Sequence, residues 1–458
     1  MFQKIIRKVH FVGIGGIGMS GIAEILLNQG FEISGSDLAD TEVTQRLKSL
    51  GIKIFKGHSA ENVKDVDVLV YSSAVDTANP EVQQAAERKI PVIKRAEMLA
   101  ECMRMKNGIG IAGTHGKTTT TSMVGLVLTE GGIDPTIIVG GKLSGLGGTN
   151  ARLGQGEFIV VEADEFDRTF LKLTPSIAAI TTLESEHLDT YKDLNDIKSA
   201  FVEFANKVPF YGFVVLCLDE IALQDIIPMI NKKIITYGLT QQADVRAIDI
   251  SFNEYSSSYT VVYKGKELGK ISLRIPGAHN IKNSLVAITI GTELGIEFSK
   301  IKKALESFTG VYRRFETKYN KEILVIDDYA HHPTEISAVE NAIREMYPLE
   351  KVMVVFQPHL FTRTRDFADD FAASLSKFDE ILLLDIYPAR ELPIPGIDAT
   401  WLLNKIENKN KKLTHKKTLL KDIQQSSSKV VAMLGAGDIG VMITDVTNQI
   451  LNSSKNEI

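Results

Sequence analysis

The chain has 458 residues, 44% apolar and 24% charged, an ordinary globular composition with room for about three domains. A formal net charge of −5 with no long basic run argues against nucleic acid as a partner. The two cysteines, Cys102 and Cys217, lie far apart and read as reduced core thiols, the opening residues run into an apolar strand with no signal-peptide pattern, and no apolar run approaches the ~18 residues of a membrane helix; a soluble cytoplasmic protein without membrane insertion is expected.

Val9 to Val12 is a short apolar strand followed by Gly13-x-Gly15-x-x-Gly18. Met19 to Gln29 reads as a helix closed by Gly30, Phe31 to Ser34 as the next strand, and Asp37 stands just past its end. This is a Rossmann-like βαβ unit, with glycines that let backbone approach a pyrophosphate and an acid about 20 positions on. The geometry suits NAD or FAD as well as a UDP-sugar. Val66 to Tyr71 is a further strand that ends at Ser72-Ser73, where open α/β sheets bind ligands.

A second unit begins near Lys106, with strands over 108–112, 136–139, 158–162 and 178–182 that alternate with helical stretches, as a parallel sheet requires. Its first strand runs into Gly113-Thr114-His115-Gly116-Lys117-Thr118-Thr119, which aims backbone N–H groups and a helix N-terminus at phosphates. Lys117 can reach the β/γ-phosphates of ATP and the Thr118 hydroxyl can bind Mg²⁺. The spacing is shorter than the strict P-loop, since Ile111 stands where the first glycine would be. Glu162, Asp164 and Glu165 follow at a strand end and suit Mg²⁺; His187, in His187-Leu188-Asp189 after the next strand, is a candidate for metal or phosphate contact. Val245 to Ile275 reads as a hairpin-like insertion, and Asn280 to Leu294 as a helix whose Asn280 and Asn283 can read a base edge, with N-capping the competing role for Asn280.

The third unit begins near Gly310, with strands over 323–327, 352–356, 380–384 and 429–434. Asp327-Asp328-Tyr329-Ala330-His331-His332-Pro333 closes the first of these; Gln357-Pro358-His359, then Arg363 and Arg365, follow the second, where arginines suit a carboxylate or phosphate. The basic cluster Lys409 to Lys417 reads as a solvated helix face or loop, and Gly435-x-Gly437-x-x-Gly440 as a strand-to-helix turn.

Taken in this order, the motifs resemble the Mur ligases, in the branch that joins L-alanine to UDP-N-acetylmuramate, from about His10 to Gly440. The resemblance implies three α/β domains: a Rossmann-like UDP-substrate domain over 1–98, a central P-loop ATPase-like domain with a mostly parallel sheet over 99–309, and a Rossmann-like C-terminal domain over 310–458 that closes over the site. It implies a UDP site at Gly15, Gly16, Gly18, Asp37, Ser72 and Ser73, with Asn150 and Arg152 near the muramoyl group. ATP would meet Gly113 through Thr119, with Asn280 and Asn283 at adenine and Asp328 near the ribose. Thr118, Glu162 and His187 would hold two Mg²⁺ ions. Tyr329, His332, His359 and Arg363 would line the alanine site, His332 and His359 being candidates for the base. The expected reaction passes through an acyl phosphate, in a monomer or homodimer.

Two departures stand out. Several sister ligases carry a carbamoylated lysine about fifteen positions after the histidine of His-Leu-Asp, and here residues 200–203 hold none; Leu360 follows His359 where some alanine ligases have arginine. The rival readings are a recycling ligase that attaches a preformed peptide to the same sugar, an NAD-dependent oxidoreductase, and a nucleotide sensor without catalysis.

Overall fold

Three separate sheets organise the chain. In this computed structural model the described residues are 6–72, 74–140, 151–186, 190–253, 256–389 and 391–455. The first sheet contains β1 (Lys8–Val12), β2 (Glu32–Asp37), β3 (Lys53–Lys56), β4 (Val68–Tyr71) and β5 (Val92–Lys94). Its order is β3-β2-β1-β4-β5, all parallel, so the chain reverses direction of travel at β1, where the glycine turn leaves the sheet. Asp37, expected just past β2, is the last residue of that strand.

The second sheet has ten strands: β6 (Asn107–Ala112), β7 (Thr136–Ile138), β8 (Ala151–Arg152), β9 (Phe158–Glu162), β10 (Ile177–Ile180), β11 (Phe213–Cys217), β12 (Ile234–Gly238), β13 (Val245–Asn253), β14 (Ser256–Tyr263) and β15 (Lys266–Leu273). The order β15-β14-β13-β12-β11-β10-β6-β9-β7-β8 places β6 between β9 and β10, a second switch point. The expected hairpin-like insertion is three strands, added to the sheet by parallel pairing of β13 with β12.

The third sheet has β16 (Glu316–Asn320), β17 (Leu324–Asp328), β18 (Val352–Phe356), β19 (Glu380–Leu383), β20 (Lys411–Leu413) and β21 (Val430–Leu434), in the order β16-β17-β21-β18-β19-β20. Here the sequence pattern has a direct cause. Ile326, Val354, Leu383 and Ala432 point into one core with Ile336 and Ile343, whereas Val325, Met353, Leu382 and Val431 point into another with Ile439 and Ile443. Both faces are covered, so the strands are continuous apolar runs rather than alternating ones. The basic cluster expected to be solvated contains β20. Lys411 turns its ammonium back onto the carbonyls of Leu403 (2.9 Å) and Ile406 (2.5 Å).

The chain divides into two compact units, one of residues 1–249, 259–271 and 282–308, the other of 250–258, 272–281 and 309–458. Cys102 and Cys217 are buried free thiols, both pushed up to about 12 by burial. Among the described residues no helix is long and apolar enough to cross a membrane.

Candidate active site

In the first unit, β6 ends at Ala112 and the helix Lys117–Glu130 begins five residues later. The turn between them needs glycine at two points. Gly113 has φ +130°, and a Cβ there would fall 2.2 Å from Thr181 Oγ1; Gly116 has φ +80°, and a Cβ would fall 2.6 Å from Asn283 Oδ1. The turn is fastened to the segment after β10: Thr114 N–H donates to Thr182 O (3.1 Å), His115 N–H to Thr182 Oγ1 (2.8 Å), and Glu184 N–H to Thr114 Oγ1 (3.0 Å). No side chain caps the helix and no acid lies in its first turn, which leaves its positive end for an anion.

Lys117 and Thr118 open that helix. Lys117 Nζ donates to Gly113 O (2.7 Å) and to both carboxylate oxygens of Glu165 (2.9 Å each). Burial alone would lower the ammonium's pKa, but the charges of Glu165, Asp164 and Glu162 outweigh it and raise it above the usual lysine value. Burial raises the Glu165 carboxyl as well; with Lys117 donating to both of its oxygens, the ammonium–carboxylate form is the one the geometry fits. Tyr191 O–H donates to the Glu165 carbonyl (2.7 Å). Beside this pair, Thr118 Oγ1 donates to Glu162 Oε1 (3.1 Å), whose other oxygen accepts Gly140 N–H (2.7 Å). A hydroxyl and a carboxylate are hard oxygen ligands that fit Mg²⁺. Thr119 follows, buried in the same helix, and Asn283 lies against Gly116. His187 lies outside the described residues. The stretch where sister ligases carry their lysine is core here, with Ala200 and Phe201 buried.

At the first glycine turn, Gly13 N–H (2.9 Å) and Ile14 N–H (3.1 Å) donate to Ser36 O, and Gly15 N–H to Asp37 Oδ2 (2.8 Å). The other Asp37 oxygen accepts Ala39 N–H (3.1 Å), so both face the chain's own backbone. Gly16 caps the helix Ile17–Asn28, and a Cβ on Gly18 would fall 2.8 Å from Arg95 Nη1. Ser72 packs against Gly13. Ser73 and Asn150 lie outside the described residues. Arg152 is engaged by Asp134 Oδ1 (2.6 Å) and Pro135 O (3.0 Å).

In the second unit, Asp328 ends β17 buried, accepting Phe315 N–H (2.6 Å) and Ala330 N–H (2.7 Å); burial pushes its carboxyl up to about 6 against the pull of Arg314. The guanidinium carbons of Arg313 and Arg314 lie 5.3 and 5.2 Å from the Tyr329 ring centroid, and Arg313 Nε donates to Asp327 Oδ1 (3.1 Å). His332 precedes the helix Pro333–Met346, buried with its ring 4.9 Å from Phe367. The His359 ring stacks on Tyr387 (5.7 Å, 15°) and lies 6.2 Å from His331. Arg363 stands in the helix Phe361–Asp366, behind Leu360 at φ +70°. Asn280 falls in the first turn of the helix Ala278–Glu293 rather than at its cap, and donates to Pro276 O (2.7 Å). At the second glycine fingerprint the glycines allow close packing of the chain on itself: a Cβ on Gly437 would fall 2.4 Å from Gln357 Oε1, and one on Gly440 2.4 Å from Arg313 Cζ.

The sequence reading passed over three contributors. Thr181 and Thr182 look like the plain end of a strand, Arg95 follows a strand with no motif around it, and Arg313-Arg314 carries the one available signal, two adjacent arginines just after Gly310.

Three family models match the chain: Mur ligase family, catalytic domain, over residues 8–107; Mur ligase middle domain over 111–291; and Mur ligase, glutamate ligase domain, over 313–443. The chain is 52% identical to a UDP-N-acetylmuramate–L-alanine ligase of Desulfatibacillum aliphaticivorans, covering 94% of this chain and 96% of that one. It is also 52% identical to the ligase of the same name from Geotalea uraniireducens, covering 97% and 96%. Among solved structures it is similar to the UDP-N-acetylmuramate-alanine ligase of Thermotoga maritima, with a TM-score of 0.78 and 30% identity over 98% of this chain and 100% of that one.

Proposed function

The chain belongs to the Mur ligase family, and from that premise we infer that it is the ATP-dependent ligase that joins L-alanine to the lactyl carboxylate of UDP-N-acetylmuramate in peptidoglycan synthesis. The observation that carries this reading is the near-full-length identity of about half with ligases of that name. The cluster of Lys117, Thr118 and Glu162 at the switch point of the second sheet supplies the phosphate chemistry. We read residues 1–98 as the UDP-substrate domain, 99–309 as the ATP domain and 310–458 as the amino-acid domain, in a cytoplasmic enzyme.

A carboxylate is a poor acyl donor because its oxygen is a poor leaving group. In the proposed course the lactyl carboxylate attacks the γ-phosphorus of ATP, and ADP leaves. The alanine amine then attacks the acyl phosphate carbonyl, and phosphate leaves from the tetrahedral adduct. Lys117 would neutralise charge on the transferring phosphoryl, and the backbone N–H groups at the start of the helix Lys117–Glu130 would hold the phosphates in line. Thr118 and Glu162 would hold Mg²⁺, with His187 proposed for a second ion; bound Mg²⁺ supplies charge neutralisation to the phosphate oxygens. Arg95 and the helix behind Gly16 would face the UDP diphosphate, with Gly15, Gly18 and Ser72 shaping the turn. Tyr329, His359 and Arg363 would receive alanine, and His359 or His332 would take the amine proton.

The phosphate-binding set favours this reading over an oxidoreductase, which leaves Lys117 and the Thr118–Glu162 pair without a role. The test is mass-spectrometric detection of UDP-N-acetylmuramoyl-L-alanine, with ADP and phosphate formed in equal amounts.

A further inference from the structure

Glu81 is a carboxylate with no exposure, placed under the first glycine turn rather than in it. It lies at the start of the helix Pro80–Glu87, where Asn79 Oδ1 accepts its N–H (2.9 Å). Ser36 O–H donates to Glu81 Oε2 (2.5 Å), while Asn62 Nδ2 (2.5 Å) and Ser59 N–H (3.2 Å) donate to Oε1. Two imidazoles flank the same carboxylate, His10 Nε2 at 3.6 Å and His58 Nδ1 at 3.4 Å from Oε2. His58 Nδ1 is also 3.0 Å from Ser36 Oγ. The hydroxyl has one proton and gives it to Glu81, so it accepts from His58, whose Nδ1 carries hydrogen.

Buried carboxylates persist where donors surround them. This one draws its donors from Ser36 of β2, from Ser59 and from Asn62, with the imidazoles of His10 and His58 beside it, and of these His58 also meets the Ser36 hydroxyl. The other side of Ser36 is the platform of the glycine turn. Its carbonyl accepts Gly13 N–H and Ile14 N–H, and its neighbour Asp37 accepts Gly15 N–H. Residues 13–15 thus hang on the Ser36 carbonyl and the Asp37 carboxylate, and Glu81 fixes the Ser36 side chain in a strand already paired with β1 and β3.

We propose that Glu81 is a positioning residue for the UDP substrate, holding Ser36 and through it the Gly13–Gly15 turn at the height the diphosphate needs. The inference rests on the reading of this turn as the UDP site. Glu81→Gln keeps the size and removes the charge that gathers these donors. The KM for UDP-N-acetylmuramate is expected to rise about tenfold or more, with kcat and the KM for ATP within about twofold of wild type. Ser36→Ala removes only the link and should move the same KM in the same direction. Because both act through one hydroxyl, the double variant should be no worse than the worse single one.

A Glu81→Gln enzyme that loses thermal stability at unchanged KM overturns the proposal and leaves Glu81 a purely structural residue. Effects of the two substitutions that multiply in the double variant overturn it too. Should Glu81→Gln not fold, Ser36→Ala decides alone: a raised KM supports the proposal and an unchanged one overturns it. Wild type assayed alongside separates the levels, since lack of turnover with UDP-N-acetylmuramate removes the UDP reading itself.

Discussion

Lys117 Nζ lies 2.9 Å from each carboxylate oxygen of Glu165, 48 residues further along the chain. The pair holds the lysine proposed to bind phosphate down on its own turn and keeps it charged. Lys117→Ala is expected to lower turnover by at least about 10³-fold, as loss of a charge at a transferring phosphoryl does. UDP-N-acetylmuramate binding, measured by calorimetry, should stay within about twofold, because that turn belongs to the first sheet. Near-normal turnover contradicts the assignment.

Glu165→Gln takes from the largely buried ammonium its nearest counter-charge, leaving the more distant Asp164 and Glu162. Breaking a buried pair from one side costs on the order of 3 kcal/mol. Thermal unfolding should move down accordingly, and an unchanged Tm means that the pair carries no structural weight.

The two glycine classes in the central region predict a contrast. Gly116→Ala places a methyl 2.6 Å from Asn283 Oδ1 at φ +80°, and should raise the KM for ATP steeply. Gly132→Ala has nearly the same φ, +88°, and nothing within 4 Å, so only backbone strain of about 1 kcal/mol applies and activity should persist. Equal loss of ATP use in both would remove the steric argument.

Thr118 and Glu162 predict a metal dependence. Glu162→Gln keeps the hydrogen-bond geometry and loses the charge, so the Mg²⁺ concentration for half-maximal turnover should rise about tenfold or more. A titration that superposes on wild type excludes Glu162 as a ligand.

Acid stability has a named contributor in Glu293. Burial alone would raise its carboxyl, but Lys233, Tyr263 and Lys264 hold it at about 2. A lowered folded-state pKa stabilises above the unfolded value near 4.5, and that stability is lost as pH falls toward 2. With Lys233 and Lys264 both about half exposed, screening leaves roughly 1–2 kcal/mol of the full effect. Urea unfolding between pH 6 and about pH 3 should lose roughly half of that more stability in wild type than in Glu293→Gln; parallel profiles contradict it.

What was legible in the sequence is what local order encodes. Gly-Lys-Thr after an apolar strand, acids at the end of β9 and glycines after β1 each signal their place within a few residues. The second glycine fingerprint shows the limit of such signals: its spacing equals the first, and only the fold reveals that Gln357 and Arg313 pack against its glycines. The partner of Lys117, the fastening of the turn by Thr181 and Thr182, and the approach of Arg95 to Gly18 join residues 48 to 77 positions apart, and no periodicity marks them. Lys411 misled for the same reason, because its charge is spent on carbonyls of a neighbouring helix end that composition does not disclose.

The central claim is a ligase that uses free L-alanine. Phosphate release measured with ATP, Mg²⁺ and UDP-N-acetylmuramate, with either L-alanine or a preformed L-alanyl-γ-D-glutamyl tripeptide, tests it most directly. The account predicts release that requires L-alanine and ignores the tripeptide. Release with the tripeptide alone would contradict the assigned acceptor, and no release with either would contradict the ligase itself.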